Sequence, residues 1–245
     1  MSNFNDAEDP RRRWLIKALA LGSVSAGFPF TQALGADFFG SSPKKLPPNQ
    51  SIFRLEGSVK VNGVAAGMST IIGANDTIET GADGEIVFVV GGNSMIVRSG
   101  STLRLEGGKE ASSGLIVQGL RLITGKLLSV SRGQQHTVQT ATATIGIRGT
   151  GFYVEADPAL TYFCTCYGLT EVASTKDPSS TETVAATHHD KPLYITADGK
   201  AGRNVRPAGF INHTDQELML IETLVGRTPP FVFSGSDYDG PRSAY

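Results

Sequence analysis

The stretch Ile72-Gly73-Ala74-Asn75-Asp76-Thr77-Ile78-Glu79-Thr80-Gly81-Ala82-Asp83-Gly84-Glu85-Ile86-Val87-Phe88-Val89-Val90-Gly91-Gly92-Asn93 decides how the chain is read. Ile86, Phe88 and Val90 recur with the period of two that marks an extended strand, and clusters of Gly, Asn and Asp close the run at both ends. The same pattern continues upstream, where Val59 and Val61 meet Val64 across Asn62-Gly63, a strong signal for a two-residue hairpin turn. Downstream it runs through Met95-Ile96-Val97, Leu103 and Leu105, Leu120 and Leu122, Leu127-Leu128 and Val130, then His136-Thr137-Val138 to Ile147. Turn signals return about every 8–12 residues, the spacing of a sandwich, barrel or β-solenoid. No strict repeat unit accompanies them. Composition points the same way. With 29 glycines in 245 residues, 40% hydrophobic and only 18% charged residues, the chain is too apolar for disorder and too poor in long charged side chains for a helical bundle. A net charge of -1 provides no basic field for nucleic acid, and two cysteines cannot build a disulfide framework.

The N-terminus follows different rules. Arg11-Arg12-Arg13-Trp14-Leu15-Ile16-Lys17 leads into a mildly apolar run, Ala18 to Phe30, broken by Gly22, Ser23, Ser25 and Gly27. A positive start, a short apolar stretch and small residues form an export signal. The run is short of the roughly 20 residues that a spanning helix needs. Arg11-Arg12 followed by Trp14-Leu15 is twin-arginine-like, and the weak hydrophobicity suits that route. Residues 1–36 are therefore expected to be an export signal, with cleavage after Ala36, Ala33 or Ala26. Residues 37–51, with Pro43, Pro47 and Pro48, read as a flexible lead-in.

Several separate elements of the body share one resemblance. Leu55-Glu56-Gly57-Ser58-Val59-Lys60-Val61-Asn62-Gly63 is followed by Ile72 to Gly81, then by the strand Gly84 to Ile96 and by Ser101-Thr102-Leu103-Arg104-Leu105. Gly119-Leu120-Arg121-Leu122-Ile123-Thr124-Gly125-Lys126-Leu127 comes next. The most specific element is Val138-Gln139-Thr140-Ala141-Thr142-Ala143-Thr144-Ile145-Gly146-Ile147-Arg148-Gly149-Thr150-Gly151-Phe152-Tyr153-Val154. In order and spacing this series resembles the FecR domain, over residues 52–172. The resemblance implies a periplasmic, mainly β module: a β-solenoid-like or sandwich-like stack of short strands. In the founding type that module belongs to a sensor with a cytoplasmic domain acting on a sigma factor, for which the short stretch before the apolar run has no room. The family-motif residues Asp76, Thr80, Arg148, Gly149, Thr150 and Phe152 read as structural. Glycines turn the chain, Asp76, Thr80 and Thr150 suit side-chain ties across turns, and Arg148 could cap carbonyls of adjacent turns or recognise a carboxylate.

Residues 173–245 form a C-terminal extension of loop, strands and one helix near 214–226. Thr214 and Glu217 have the spacing of a capping box, Leu218, Ile221, Leu224 and Val225 make one apolar stripe, and Gly226 is a stop. Such a short helix must dock, and the end or edge of the β-stack is the expected place. Asn212, His213, Thr214 and Asp215 could form a polar site, although helix capping accounts for them. Cys164 and Cys166 lie two apart in a strand-like run and so share a face. With His188 and His189 they could bind a soft or borderline metal, copper or zinc, but C-x-C lacks the C-x-x-C pairing of strong zinc sites, and a buried, inert pair of thiols is the commoner outcome for such cysteines. His136 reads as a strand residue.

No nucleophile elbow, zincin helix, phosphate loop or dinucleotide fingerprint is present, so an enzyme is not expected. The leading expectation is a non-enzymatic periplasmic FecR-domain module in sensing, regulation or envelope interaction. Its partner would be an envelope protein, with no nucleic acid and with membrane contact only through an uncleaved N-terminus. The alternative is a periplasmic metal-binding protein using Cys164, Cys166, His188 and His189.

Overall fold

The structure is a computed structural model that describes residues 43–110, 114–131 and 135–231; the export-signal reading of residues 1–36 lies outside them. Among the described residues there are fourteen strands and one helix. They are β1 (Ile52–Glu56), β2 (Val59–Val61), β3 (Val64–Ala65), β4 (Thr77–Thr80), β5 (Glu85–Val90), β6 (Asn93–Val97) and β7 (Thr102–Glu110). There follow β8 (Gly114–Ser131), β9 (Gln135–Gln139), β10 (Ala143–Ala156), β11 (Leu160–Ser174), β12 (Thr181–Ala186), β13 (Leu193–Thr196), β14 (Val205–Pro207) and α1 (Asp215–Leu224). The strands join one open, branched sheet with the main order β14-β13-β11-β10-β9-β8-β7-β4-β2-β3. Pairing is antiparallel throughout, save for β8 beside β9, which sets it apart from a parallel solenoid. Asn62 (φ +52°) and Gly63 (φ +78°) turn β2 into β3, with Val61 opposite Val64.

The three longest strands hold the architecture together. The first part of β8 pairs with β7 and β9, and its last part with β6 and β10. Thr144–Arg148 of β10 pairs with β9, and Gly151–Ala156 with β8, while β11 accompanies both halves. The change falls on Arg148-Gly149-Thr150-Gly151, where the register with β11 shifts. Gly149 sits at φ +63°, and a Cβ on Gly151 would lie 2.5 Å from the ring of Tyr167. This motif is thus where β10 changes partner from β9 to β8.

Alternation along these strands buries both faces. Phe152 and Val154 of β10, Phe163 of β11, Leu127 of β8, Met95 and Val97 of β6 and Ile86 and Phe88 of β5 enter one large core. Their neighbours Tyr153, Tyr162, Cys164, Leu128, Ile96 and Val87 enter a second core on the opposite face, closed by Leu218, Leu220, Ile221 and Leu224 of α1. Each of those helix side chains contributes about 1.5–3 kcal/mol by leaving water. The helix therefore lies over a face of the sheet, against β6 and β8, instead of shielding an end or edge. Uncovered, that face would expose apolar residues to water, which is the physical reason the helix goes there.

Local chemistry sets the limits of α1. The Thr214 hydroxyl accepts from Glu217 N, and Thr214 N donates to Glu217 Oε2 at 2.8 Å, a complete capping box. Gly226 (φ +74°) ends it: Gly226 N donates to Thr223 O and Arg227 N to Glu222 O, both at 2.9 Å. Leu46 N, in the described part of the lead-in, donates to Leu224 O at 2.9 Å, so that segment is tied to the helix end. Strands β12, β13 and β14, from the extension after residue 172, pair into the same sheet.

The other motif residues take structural places. Asp76 accepts from Gly73 N at 2.7 Å and Asn62 Nδ2 at 2.9 Å, and Thr80 Oγ1 donates to Arg98 O at 2.6 Å. Phe152 stacks on Phe163 with centroids 5.7 Å apart. Thr150 differs from expectation, because its buried hydroxyl has no hydrogen-bond partner. Arg148 caps no turn. Its half-exposed guanidinium pairs with Glu171 across the ladder at 2.9 Å, an ion pair worth at most about 1 kcal/mol.

Candidate metal centre

Cys164 and Cys166 stand on β11 with their side chains on the helix-facing side of the sheet, both free and fully buried. Strand periodicity puts them together. Chain folding brings the imidazoles. The loop after β12 returns over β11, and His189 N donates to Cys166 O at 2.9 Å. Asp190 shapes that loop by accepting from Thr187 N at 2.6 Å and His188 N at 3.3 Å. The chain leading into α1 supplies His213, the residue before the helix cap.

The result is a cluster in which one ligand atom each from Cys164, Cys166, His189 and His213 lies within 4.8 Å of all the others. Cys164 Sγ is 3.5 Å from His189 Nδ1, which is 3.1 Å from His213 Nε2. Tetrahedral zinc, with sulfur at ~2.3 Å and nitrogen at ~2.0–2.1 Å, spaces its ligands about 3.3–3.8 Å apart, so a small inward movement completes the shell. Each imidazole has its far nitrogen held by an acceptor. His213 Nδ1 faces Ile211 O at 2.7 Å, and His189 Nε2 faces Asp215 Oδ1 at 2.9 Å. That is how proteins orient metal-binding histidines, because the acceptor fixes the ring and its tautomer.

His188 does not join the four. Its Nε2 lies 2.9 Å from Asp215 Oδ2, making His188, His189 and Asp215 a second group beside the first. Aromatic rings wall the site. Tyr153 stacks on His213 at 4.6 Å, Phe210 packs on His189 and His213 at 4.6 and 4.5 Å, and Phe231 lies on His188 at 4.6 Å.

The electrostatics favour a thiolate. Burial pushes the Cys164 thiol up, but hydrogen bonding from Cys166 and the adjacent His213 and His189 outweigh it and hold it well below the usual range. Burial, reinforced by the Cys164 sulfur, pushes Cys166 well up, so the pair shares one proton. Burial would lower His189, yet the hydrogen bonds to Asp215 and Cys164 raise it to about 9. Burial keeps His213 low and hence neutral. Burial would raise Asp215, but His188 and His189 hold it well below the usual carboxylate range. Cys164 as a thiolate and His213 as a neutral imidazole are already in the protonation states that a metal requires, whereas His189 and Cys166 must each release a proton when an ion binds.

Backbone strain collects in the same place. Three non-glycine residues among those described have positive φ: Asn62 in its hairpin, then His189 (+54°) and Asn212 (+59°) on either side of the cluster. Such conformations persist only where the surroundings enforce them. Asn212 is held by Nδ2 to Glu155 Oε1 at 2.8 Å and by its carbonyl, which accepts from Arg98. Arg98, buried, also donates to Glu217 Oε1 at 2.6 Å and Tyr153 Oη at 3.2 Å, locking the first turn of α1 to the sheet.

The sequence reading grouped Cys164 and Cys166 with His188 and His189, and left His213 and Asp215 in a possible polar site that helix capping accounted for; the structure brings Cys164, Cys166, His189 and His213 together and sets His188 beside Asp215. One signal was available: of four histidines, three fall between residues 188 and 213.

No family model matches the chain, and no curated protein matches it. Among solved structures the chain is similar to two crystal structures of a "putative anti-sigma factor" from Parabacteroides distasonis ATCC 8503. Identity is 16% and 15%, with TM-score 0.41 and coverage of 54% of this chain in each case. The match spans 58% of those chains, less than two thirds of their length. The FecR resemblance accordingly rests on the motif series. Among the described residues no helix is long and apolar enough to cross a membrane.

Proposed function

We propose that the protein binds one metal ion, zinc first and copper(I) as its competitor, through Cys164, Cys166, His189 and His213. The observation that carries this reading is the convergence of four ligand atoms, from β11, the loop after β12 and the chain entering α1, within 4.8 Å of one another. Two sulfurs and two nitrogens in a closed shell suit a tetrahedral ion, and softer copper(I) would favour the sulfurs. With four protein ligands no coordination position is left for a substrate, which supports a structural or sensing ion and a non-enzymatic protein. The reading of residues 1–36 as an export signal supports a periplasmic setting for this activity. The FecR resemblance supports a regulatory use, in which the state of the metal site would govern contact with an envelope protein.

Metal analysis of protein purified from the bacterial envelope tests the proposal. The wild type is expected to carry a stoichiometric ion. After exhaustive dialysis, which removes any ion held only by the exposed side chains, Cys164→Ser, Cys166→Ser and His213→Ala should have lost it, while His188→Ala should keep it. Unchanged metal content in the two cysteine variants would overturn the reading.

A further inference from the structure

Three of the four proposed ligands are sealed: Cys164, Cys166 and His213 are 0% exposed, and the rings of Tyr153 and Phe210 pack on His213, while His189 is partly buried. An ion needs a way in. On the outer side of the cluster lie His188, with its side chain 32% exposed, and Asp215, at 23%. Their ligand atoms and that of His189 form a second group within 4.8 Å, with His188 Nε2 2.9 Å from Asp215 Oδ2 and His189 Nε2 2.9 Å from Asp215 Oδ1. His189 belongs to both groups and faces each with a different ring nitrogen.

We propose that His188 Nε2, His189 Nε2 and the Asp215 carboxylate form a second, solvent-facing metal position that captures the ion first and hands it to the buried site. The proposal rests on the buried cluster being a metal centre. Two imidazoles and one carboxylate suit a borderline divalent ion, and a three-donor set on the solvent side leaves room for the waters of an incoming ion. The set contains no sulfur, so zinc is favoured here over copper(I). A neutral imidazole offers one lone pair while its other nitrogen keeps the proton. His189 therefore serves the outer position through Nε2 or the inner one through Nδ1. As the ion moves inward, the ring proton leaves Nδ1 and returns at Nε2, where Asp215 accepts its hydrogen bond, and Cys166 releases its thiol proton to solvent. Asp215 thus acts twice, as outer ligand and then as the acceptor that fixes His189.

Stopped-flow mixing of the metal-free, full-length protein with cobalt(II) separates the two positions, because only the inner one produces a thiolate-to-cobalt charge-transfer band. In the wild type the rate at which the band appears should saturate with cobalt concentration, since a bound precursor forms first. In His188→Ala the rate should fall roughly tenfold and rise linearly with cobalt, while the charge-transfer band itself still forms. The double variant Cys164→Ser/Cys166→Ser should still bind cobalt without the band, and adding His188→Ala should abolish that binding. An unchanged rate in His188→Ala overturns the outer position, and so does a double variant that binds no cobalt. A wild type with no charge-transfer band overturns the inner site instead. If His188→Ala loses its far-ultraviolet dichroism, the double cysteine variant decides.

Discussion

His136 shows how much one buried side chain can set. It sits buried on β9, its ring centroid 6.1 Å from that of Phe152 and its Nδ1 3.5 Å from the Ser131 hydroxyl, and Nε2 has no partner. Burial takes its pKa from 6.5 to about 4. The folded protein keeps the ring neutral, whereas the unfolded chain takes up a proton below pH ~6.5. The stabilising contribution is therefore complete above pH ~6.5 and is lost as the pH falls toward ~4. A shift of this size corresponds to about 3 kcal/mol. Urea unfolding at pH 7.5 and pH 4 checks it: His136→Leu should lose about 2–3 kcal/mol less than the wild type on acidification. An equal loss in both proteins would show that other groups, such as buried His213, carry the acid limb.

At the scale of elements, α1 is held by two devices that share one residue. Glu217 completes the capping box and also receives the buried Arg98 guanidinium at 2.6 Å. Thr214→Ala removes only the cap and should cost about 1 kcal/mol. Glu217→Ala removes the cap and also takes the nearest carboxylate from a buried cation, so about 3–5 kcal/mol is expected. Chemical denaturation of both variants measures the difference, and equal costs would mean that Arg98 is satisfied by its other partners. At its far end the helix is anchored by Arg227, which bonds Glu222 Oε2 at 2.6 Å and Gly92 O at 2.9 Å.

For the whole molecule, the two cores divide the labour. The larger one, built from both parts of the sheet, contains none of the proposed ligands. The smaller one contains Cys164 and Cys166 together with the apolar stripe of α1. An ion bound there joins β11, the loop after β12 and the entry to α1. It stabilises the native state alone, by RT ln(1 + [L]/Kd). Chelation should leave the sheet folded while amide exchange accelerates in residues 187–225. Hydrogen–deuterium exchange with and without chelator measures this. Acceleration spread evenly over both cores would mean that the metal holds the whole fold, and no change would mean that α1 docks without it.

Much of this was legible from the residues alone. Period-two alternation identified strands such as β5, Asn62-Gly63 identified its hairpin, and Thr214, Glu217 and Gly226 bracketed the helix, because each signal depends on neighbours a few positions apart. The shared face of Cys164 and Cys166 followed from the same local geometry. The face that α1 covers was not legible, because a strand buried on both sides carries no single apolar face to betray its outer neighbour. Nor was the full ligand set. His213 lies 47 positions from Cys166 in the numbering, and what brings them together is the return of the chain, after β12, β13 and β14 have paired into the sheet, to a helix packed over the cysteine-bearing face. The sequence by itself determined the elements and one side of the site; the tertiary structure decided the other side, because ligand distance is set by how the chain closes on itself.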